Sequence, residues 1–553
     1  MKSLRKSLRK SPRNLLPLAA ILFFGACRGV TGLDELSFSD EGGASSSSSS
    51  GGGVCDPGAA EACEGAYSGP PGTEGVGLCK GPSRACYADG TGFGQCEGEV
   101  VPQAEDCSTL GDESCDGNGA CDGASLWGKP FGDGANVEIC GLAVDSSENL
   151  VLAGHFKGTI NLGGSDFKSF FGKSVFVAKL GADGAHIWSR AVTGAVDQVC
   201  SGVAVGSFGN VILGGFYVGG SPDFGGGPLP PANSYDGFYA KLGADSGEHV
   251  WSGAVGGAGD QTVRGVGIDN AGFVFIVGRY QNPITIGQFT LVPTEQNETF
   301  VARIDSDAVP LLAKRFWASG ALHGMKIAVD KGTGAAVIAG QIVGSGAFGN
   351  TMLSGSADDQ DSFLVGLDPF GEVLWATSLV GPNRQQVNGL AFDGAGGVLV
   401  AGEFEGIVDF AGIPLIADGL DGFVMRLDGT GKATWAVPVS GLGNQTVSSV
   451  AVGGGGDVLA AGTFGAQIEL GPYGQAGAGN NDAFVAKLDP GAGAPIWLRV
   501  FGSLSSESAG AVASDSLGNA AVSGKYSGDL DLGLKDGPLT VSEGDAFIVK
   551  VAP

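Results

Sequence analysis

The chain carries four histidines, His155, His186, His249 and His323. A general base or a metal centre built on them would need partners at fixed spacing. His-Glu-x-x-His does not occur, nor does the strained Gly-x-Ser-x-Gly turn that presents a nucleophilic serine. His186 and His249 each stand two residues before a tryptophan, Trp188 and Trp251, at equivalent places of a repeat. They read as packing or surface residues. Two sequences imitate phosphate-binding loops. Gly344-Ser345-Gly346-Ala347-Phe348-Gly349 has dinucleotide-type spacing, but no helix pattern follows it. Gly172-Lys173-Ser174 resembles the end of a nucleotide-binding loop, but Phe167 stands where that loop needs glycine. With 102 glycines in the chain, both read as chance.

Cysteine is the next reactive type, with eleven copies. Eight of them, Cys55, Cys63, Cys79, Cys86, Cys96, Cys107, Cys115 and Cys121, are separated by Gly, Pro, Asp and Glu with few large apolar residues. Residues 55–122 cannot build a core from that composition and are expected to form a disulfide-stapled module, whose pairing the sequence leaves open. Cys140 and Cys200 fall at nearly equivalent places of two successive repeats, just before the expected first strand. They are candidates for a bridge between neighbours, although their registers differ by one residue. Around Cys107 and Cys115 stand Asp106, Asp112, Glu113, Asp116 and Asn118. This stretch resembles Cys/Asp-rich metal-binding motifs of some bacterial surface proteins, and such ligands suit Ca²⁺. The full order of an EF-hand is missing. The expectation is no cofactor, with calcium at these residues as the alternative to a disulfide knot carrying solvated acids.

Carboxylates recur with the repeat. Ser174, Asp236, Glu298, Asp361, Asp421, Asp482 and Asp545 each stand two residues before a marker phenylalanine. One reading is a cation-binding ring. The other is architectural: Asp accepts backbone N–H groups at a turn into a strand. A residue required in every repeat fits the second, because a ligand touches only part of a ring. Asp145, Asp269, Asp330, Asp393 and Asp515, ahead of tight turns, read the same way.

The elements that would position any of these residues come from the repeat itself. Tryptophans 127, 188, 251, 317, 375, 435 and 497, glycines 154, 215, 278, 340, 402, 462 and 524, and phenylalanines 176, 238, 300, 363, 423, 484 and 547 recur at about sixty residues. Within one unit, Leu142–Asp145, Leu150–Phe156, Val175–Leu180 and Ile187–Val192 are short β-branched or aromatic runs bounded by Gly, Asn and Asp. That is the pattern of a four-stranded antiparallel meander. Seven such meanders bury their faces when arranged radially, which predicts an all-β, seven-bladed β-propeller over 125–553. Trp127 precedes the first glycine marker, while the last repeat ends at Pro553 without its tryptophan strand. The strand around Trp127 is therefore expected to complete the seventh blade and seal the ring.

These repeats resemble those of bacterial seven-bladed propellers (SBBP-type), in Asp482-Ala483-Phe484-Val485-Ala486-Lys487-Leu488-Asp489, in Gly209-Asn210-Val211 and in Ala401-Gly402-Glu403-Phe404. The Asp-Gly-x-x-x-Trp spacing is also similar to quinoprotein-type propellers. The resemblance covers roughly residues 125–553 and implies the fold; propellers host many unrelated activities.

Residues 1–26 combine Lys2, Arg5, Lys6, Arg9, Lys10 and Arg13 with an apolar run from Leu15 to Ala26, the layout of a secretory signal. Phe24-Gly25-Ala26-Cys27 resembles a bacterial lipobox, with Phe24 where leucine is usual. The resemblance implies cleavage before Cys27 and lipidation of its thiol. Residues 27–54 would be the lipid attachment and a tether, with Ser45 to Ser50 unbroken. Arg28 after Cys27 points to the outer membrane of the cell envelope, facing the surface or the periplasm, by the same resemblance. Loss of residues 1–26 would take the formal net charge from −27 to −33. Such a chain repels phosphate backbones, so nucleic acid is not an expected partner.

The connections between second and third strands are long and differ between repeats, as in Pro222–Tyr235 and Gln281–Glu298. Variable loops on a rigid scaffold are where binding usually resides. The sequence thus leads to a monomeric, lipid-anchored cell-surface protein that binds protein or glycan without catalysis. The alternative is a propeller enzyme, quinoprotein-like or a glycan-active hydrolase or lyase, with its groups on the long-loop face.

Overall fold

The computed structural model describes residues 55–103 and 122–553, except 64, 71–72, 133–135, 233, 296, 357–359, 411, 536 and 541–544. No helix occurs among the described residues. Seven antiparallel four-stranded meanders follow one another, in the order inner, second, third and outer strand. Blade 1 is Glu138–Val144, Leu150–Phe156, Ser174–Leu180 and His186–Ala191. Blades 2 to 6 have inner strands Thr193–Val205, Gln261–Ile268, Ala321–Val329, Gln385–Phe392 and Gln445–Val452. Blade 7 takes its inner three strands from the C-terminus (Ser508–Ser514, Ala520–Tyr526 and Asp545–Val551) and its outer strand, Ser125–Phe131, from the far end of the ring. Trp127 pairs in register with Lys550, and Phe131 with Ala546. The expected seam is present, and the inner strands of blades 7 and 1 touch as those of other neighbours do.

The marker residues have separate mechanical roles. Each marker glycine faces its phenylalanine across the second and third strands, as Gly154 faces Phe176 and Gly524 faces Phe547. A Cβ on any of the seven would lie 1.8–2.2 Å from a carbonyl or within 3 Å of a ring, so no side chain fits. The tryptophans hold blades together. The indole N–H of Trp188 donates to the Ala244 carbonyl in the next blade's third-to-fourth turn at 3.0 Å, and Trp251 and Trp435 repeat this onto Ser306 and Pro490. Trp127 donates to Ala182 of blade 1, so the closing strand uses the same device.

The acidic rows are structural. Asp145 Oδ1 accepts the backbone N–H of Ser147 and Asn149, while Oδ2 pairs with Lys179 at 2.6 Å. Asp269–Arg303, Asp393–Arg426 and Asp515–Lys550 repeat that pairing. Among the described residues Asp330 accepts the turn amides of Gly332 and Thr333 and meets no cation, because Gly366 stands at the cation's place in blade 4. In the other row, Asp482 accepts the Ala478 amide and Glu298 the Thr294 and Glu295 amides.

In the Cys-rich segment, Cys55 joins Cys86 and Cys63 joins Cys96, and Cys79 is also disulfide-bonded. Cys27, Cys107, Cys115, Cys121 and the carboxylates and amide at 106, 112, 113, 116 and 118 lie outside the described residues. Cys140 joins Cys200 across blades 1 and 2, with Cα atoms 5.8 Å apart. Both lie inside inner strands rather than before them. The one-residue offset has a cause. Each inner strand carries a β-bulge near this level; Cys140 is the bulged residue of blade 1, whereas Cys200 stays in the ladder opposite Gly215.

Candidate functional site

All inner strands run from the long-loop end of the ring to the short-turn end, so the same level of the channel is met at equivalent residues. Near the short turns the inner strands present mainly small and aliphatic side chains to the channel. A cavity of about 580 Å³ there is walled by residues such as Leu142, Val203, Val266, Ile327, Val450 and Val512. The inner strands spend the same small and aliphatic residue types here in all seven copies, and blade 4 alone adds a charged pair, Asp330 and Lys331, to the wall.

The long-loop end is different. The residue after each marker glycine is His155, Phe216, Arg279, Gln341, Glu403, Thr463 or Lys525. Each faces an inner-strand partner, in the pairs Glu138–His155, Val199–Phe216, Thr262–Arg279, His323–Gln341, Gln386–Glu403, Thr446–Thr463 and Ser508–Lys525. Six of these seven pairs are polar on at least one side with no shared charge pattern, so the fold does not demand their identities. The bulges add a second variable ring at the level below: Cys140, Ser201, Arg264, Met325, Asn388, Ser448 and Gly510 fall at the register shifts. A bulge leaves its residue out of the ladder and re-aims the side chain.

Three sectors result. Where blades 7 and 1 meet, Glu138 lies 2.9 Å from Lys525 and 3.4 Å from His155, and Lys173 lies 3.2 Å from His155. The His155 contact, then Lys525, hold the Glu138 carboxyl well below the usual range despite its partial burial. Here a single carboxylate serves Lys525 and His155, with Lys173 also at the imidazole Nε2. Around blades 4 to 6 runs an amide ladder: Gln341 donates to Gln386 at 3.2 Å, Gln386 to Asn388 at 2.7 Å, and Asn388 to the Val447 carbonyl at 3.3 Å. Arg384 pairs with Glu403 at its rim.

The third sector, at blades 3 and 4, is cationic. Arg264 occupies the bulge of blade 3, its Nε donating to Thr262 Oγ1 at 3.2 Å. Its guanidinium lies 4.8 Å from the centre of the Phe216 ring of blade 2. Tyr235 stands edge-on to Phe216 at 5.4 Å and is 40% exposed. Arg279 is in register with Thr262 on the adjoining strand, and Lys326 follows on the inner strand of blade 4. The two inner strands touch closely here; a Cβ on Gly265 would meet the Ile327 backbone nitrogen at 3.2 Å. Among the described residues, no carboxylate pairs with Arg264, Arg279 or Lys326, whereas the third-strand cations Lys179, Arg303, Arg426, Lys487 and Lys550 are all paired. Burial and then the neighbouring Arg264 lower the Lys326 ammonium from its ordinary value, and burial and then Arg279 do the same to Arg264. Burial, then Arg279 and Arg264, push the His323 imidazole down to about 4, so it is neutral at physiological pH. Arg279 Nε and His323 Nε2 are buried without a hydrogen-bond partner.

The other histidines sit where the repeat predicts. His186 and His249 pack on the glycine turns at Gly164 and Gly226 and contact Ser189 and Ser252 through Nε2. The Gly344–Gly349 sequence opens the hairpin Ser345–Phe348 and Thr351–Ser354, and Gly172-Lys173-Ser174 leads into a strand. Neither precedes a helix, so neither cradles phosphate. Arg264, Arg279 and Lys326 are not visible as a motif, because 15 and 47 residues separate Arg279 from the other two along the chain. Aligning the repeats by their bulges would have found Arg264 and Lys326, as charges in columns otherwise small or neutral.

No family model matches this chain, and no curated protein matches it. Solved structures similar to it include a quinohemoprotein alcohol dehydrogenase, ADHIIG, from Pseudomonas putida HK5, 12% identical over 78% of this chain and 76% of that chain, with a TM-score of 0.34. Sqt1 from Chaetomium thermophilum is 10% identical over 78% of this chain and 99% of its own, with a TM-score of 0.36. A europium-containing methanol dehydrogenase is 12% identical over 78% and 93%, with a TM-score of 0.33. Likenesses of that order leave the site to be argued from the chain's own residues.

Proposed function

We propose that this protein is exported, anchored in the outer membrane through a lipid on Cys27, and displays its propeller at the cell surface as a binding or scaffold module for a protein or glycan partner. One observation carries the binding reading: the inner strands repeat small and aliphatic residues in every blade toward the short turns, whereas at the long-loop end they diverge in charge and size. Where copies must agree, the residue serves the fold; where they are free to differ, it is available for recognition. The basic leader, the lipobox-like Phe24–Cys27 and the serine tether support export and anchoring. Three disulfides, Cys55–Cys86, Cys63–Cys96 and Cys140–Cys200, fit an oxidising compartment.

The test is capture from cell-surface extracts by the full-length exported protein. Parallel variants would carry substitutions at the long-loop end (Phe170→Ser, Phe171→Ser, Tyr235→Ser) or the short-turn end (Phe208→Ser, Phe370→Ser). Loss of capture with the first set alone supports the reading. Equal capture by both, or none by the wild type, overturns it.

A further inference from the structure

We propose that Arg264, Arg279 and Lys326 at the long-loop mouth of the channel bind the acidic group of an anionic saccharide, with the Gln341–Gln386–Asn388 ladder and Tyr235 receiving its hydroxyls and ring. The inference rests on the binding reading above and names its ligand class. Uncompensated charges in a partly buried cluster lower stability unless something pairs with them. By contrast, the Lys and Arg of the third strands each have a carboxylate, except Lys241, which leans on Trp251 at 6.0 Å. A chain with 58 acidic residues did not lack candidates. The three cations come from two adjacent blades and three different strands, and no rule of the repeat requires them: their equivalents in other blades include Gly389, Ser448 and Thr463.

The remaining chemistry suits a sugar. Arg264 and Arg279 offer forked donors matched to carboxylate or sulfate oxygens, and Arg279 Nε has no partner within the protein. His323 is neutral, so its imidazole gives a hydrogen bond rather than a fourth charge. Amide side chains serve as both donor and acceptor toward hydroxyls. Phe216 is already covered by the Arg264 guanidinium, which leaves the more exposed Tyr235 as the apolar surface for a ring face.

The experiment is calorimetric titration of the full-length exported protein with trigalacturonate, with a chondroitin sulfate disaccharide, and with neutral maltotriose. The first two arms separate a carboxylate from a sulfate as the acidic group. The expected result is binding of at least one acidic probe, weakened tenfold or more in Arg279→Gln and in Lys326→Met, with maltotriose not bound. Both variants remove an unpaired charge, so each should melt no lower than wild type without ligand. A lower melting temperature in both would show that the charges serve stability and overturn the proposal. So would wild-type affinity in both variants, tight maltotriose binding, or no binding of either acidic probe. Surface-extract capture separates this failure from that of the broader reading. Capture that persists in the Arg279→Gln/Lys326→Met double variant, with no acidic probe bound, refutes the anion site and leaves the binding function standing. No capture by the wild type refutes both.

Discussion

Asp421 offers a quantitative check on the packing of the ring. It sits in the middle of the third strand of blade 5, Pro414–Leu427, 3% exposed, with the Asp418 amide donating to it and, among the described residues, no cation beside it. Burial is the main cause that raises its carboxyl from the ordinary 3.8 to about 6. Because the folded value lies above the unfolded one, the folded state holds this proton more tightly. Stability is therefore highest below pH 4 as far as this group is concerned, falls as pH rises toward 6, and stays lower above that. The fall amounts to about 3 kcal/mol, taking about 1.4 kcal/mol per pH unit of difference. Asparagine cannot ionise, so Asp421→Asn should gain on the wild type by about 3 kcal/mol between pH 4 and pH 8, whatever its own packing costs. For a ring of roughly 430 residues that is on the order of 3 °C in Tm. Calorimetric melting of both proteins at several pH values reads this directly. A Tm difference that does not change with pH would refute the reasoning. Glu298, in the same row of blade 3, is the internal control. Burial opposes ionisation there, but Thr294, Glu295 and Arg315 outweigh it and hold the carboxyl below its usual range. Its contribution is lost as pH falls, so Glu298→Gln should lose stability at pH 7 and the deficit should shrink toward pH 4.

Other outcomes follow from the same structure. Removal of residues 124–132 should expose the third strand of blade 7 at Asp545–Val551 and abolish cooperative melting or cause aggregation; a normal cooperative melt would contradict the seam. Gly524→Ala would put a Cβ 1.8 Å from the Ser508 carbonyl and 2.7 Å from Phe547, and should lower stability by more than about 3 kcal/mol in denaturant titration. Replacing Cys140 and Cys200 together with serine opens a closure of 60 residues and should cost about 4 kcal/mol without reducing agent, with little effect on the intact Cys-rich segment. Mass spectrometry of the mature N-terminus should find an acylated Cys27, and Cys27→Ser should release the protein from membranes; cleavage elsewhere would refute the anchor.

The architecture was legible because each marker solves one local problem. Trp reaches the next blade's turn, Gly admits a carbonyl, and Phe packs on that glycine, so copying the unit copies the marks. The Asp row ahead of the tight turns was read correctly for the same reason; in the other row Glu298 and Asp482 accept strand-entry amides, whereas Asp421 lies inside a continuous strand. What the residues did not announce was the bulge in every inner strand. It shifts register by one, which is why Cys140 and Cys200 seemed misaligned and lie within strands. A buried glutamine row was also missed: Gln261, Gln385 and Gln445 donate to Ala258, Pro382 and Leu442, pinning the connections between blades. The cationic sector was hidden more deeply. Arg264, Arg279 and Lys326 become neighbours only when two blades stand side by side, and single charges on separate strands have no spacing to read.

The proposed binding function places recognition at the long-loop end of the ring. Hydrogen exchange on the full-length protein, with and without the surface material it captures, tests it most directly. Exchange should slow near the mouth, at residues 194–198, 234–236, 261–264 and 321–326, and stay unchanged at the short turns 145–149, 181–185 and 269–273. Slowing confined to the short turns, or to the outer strands, would contradict it.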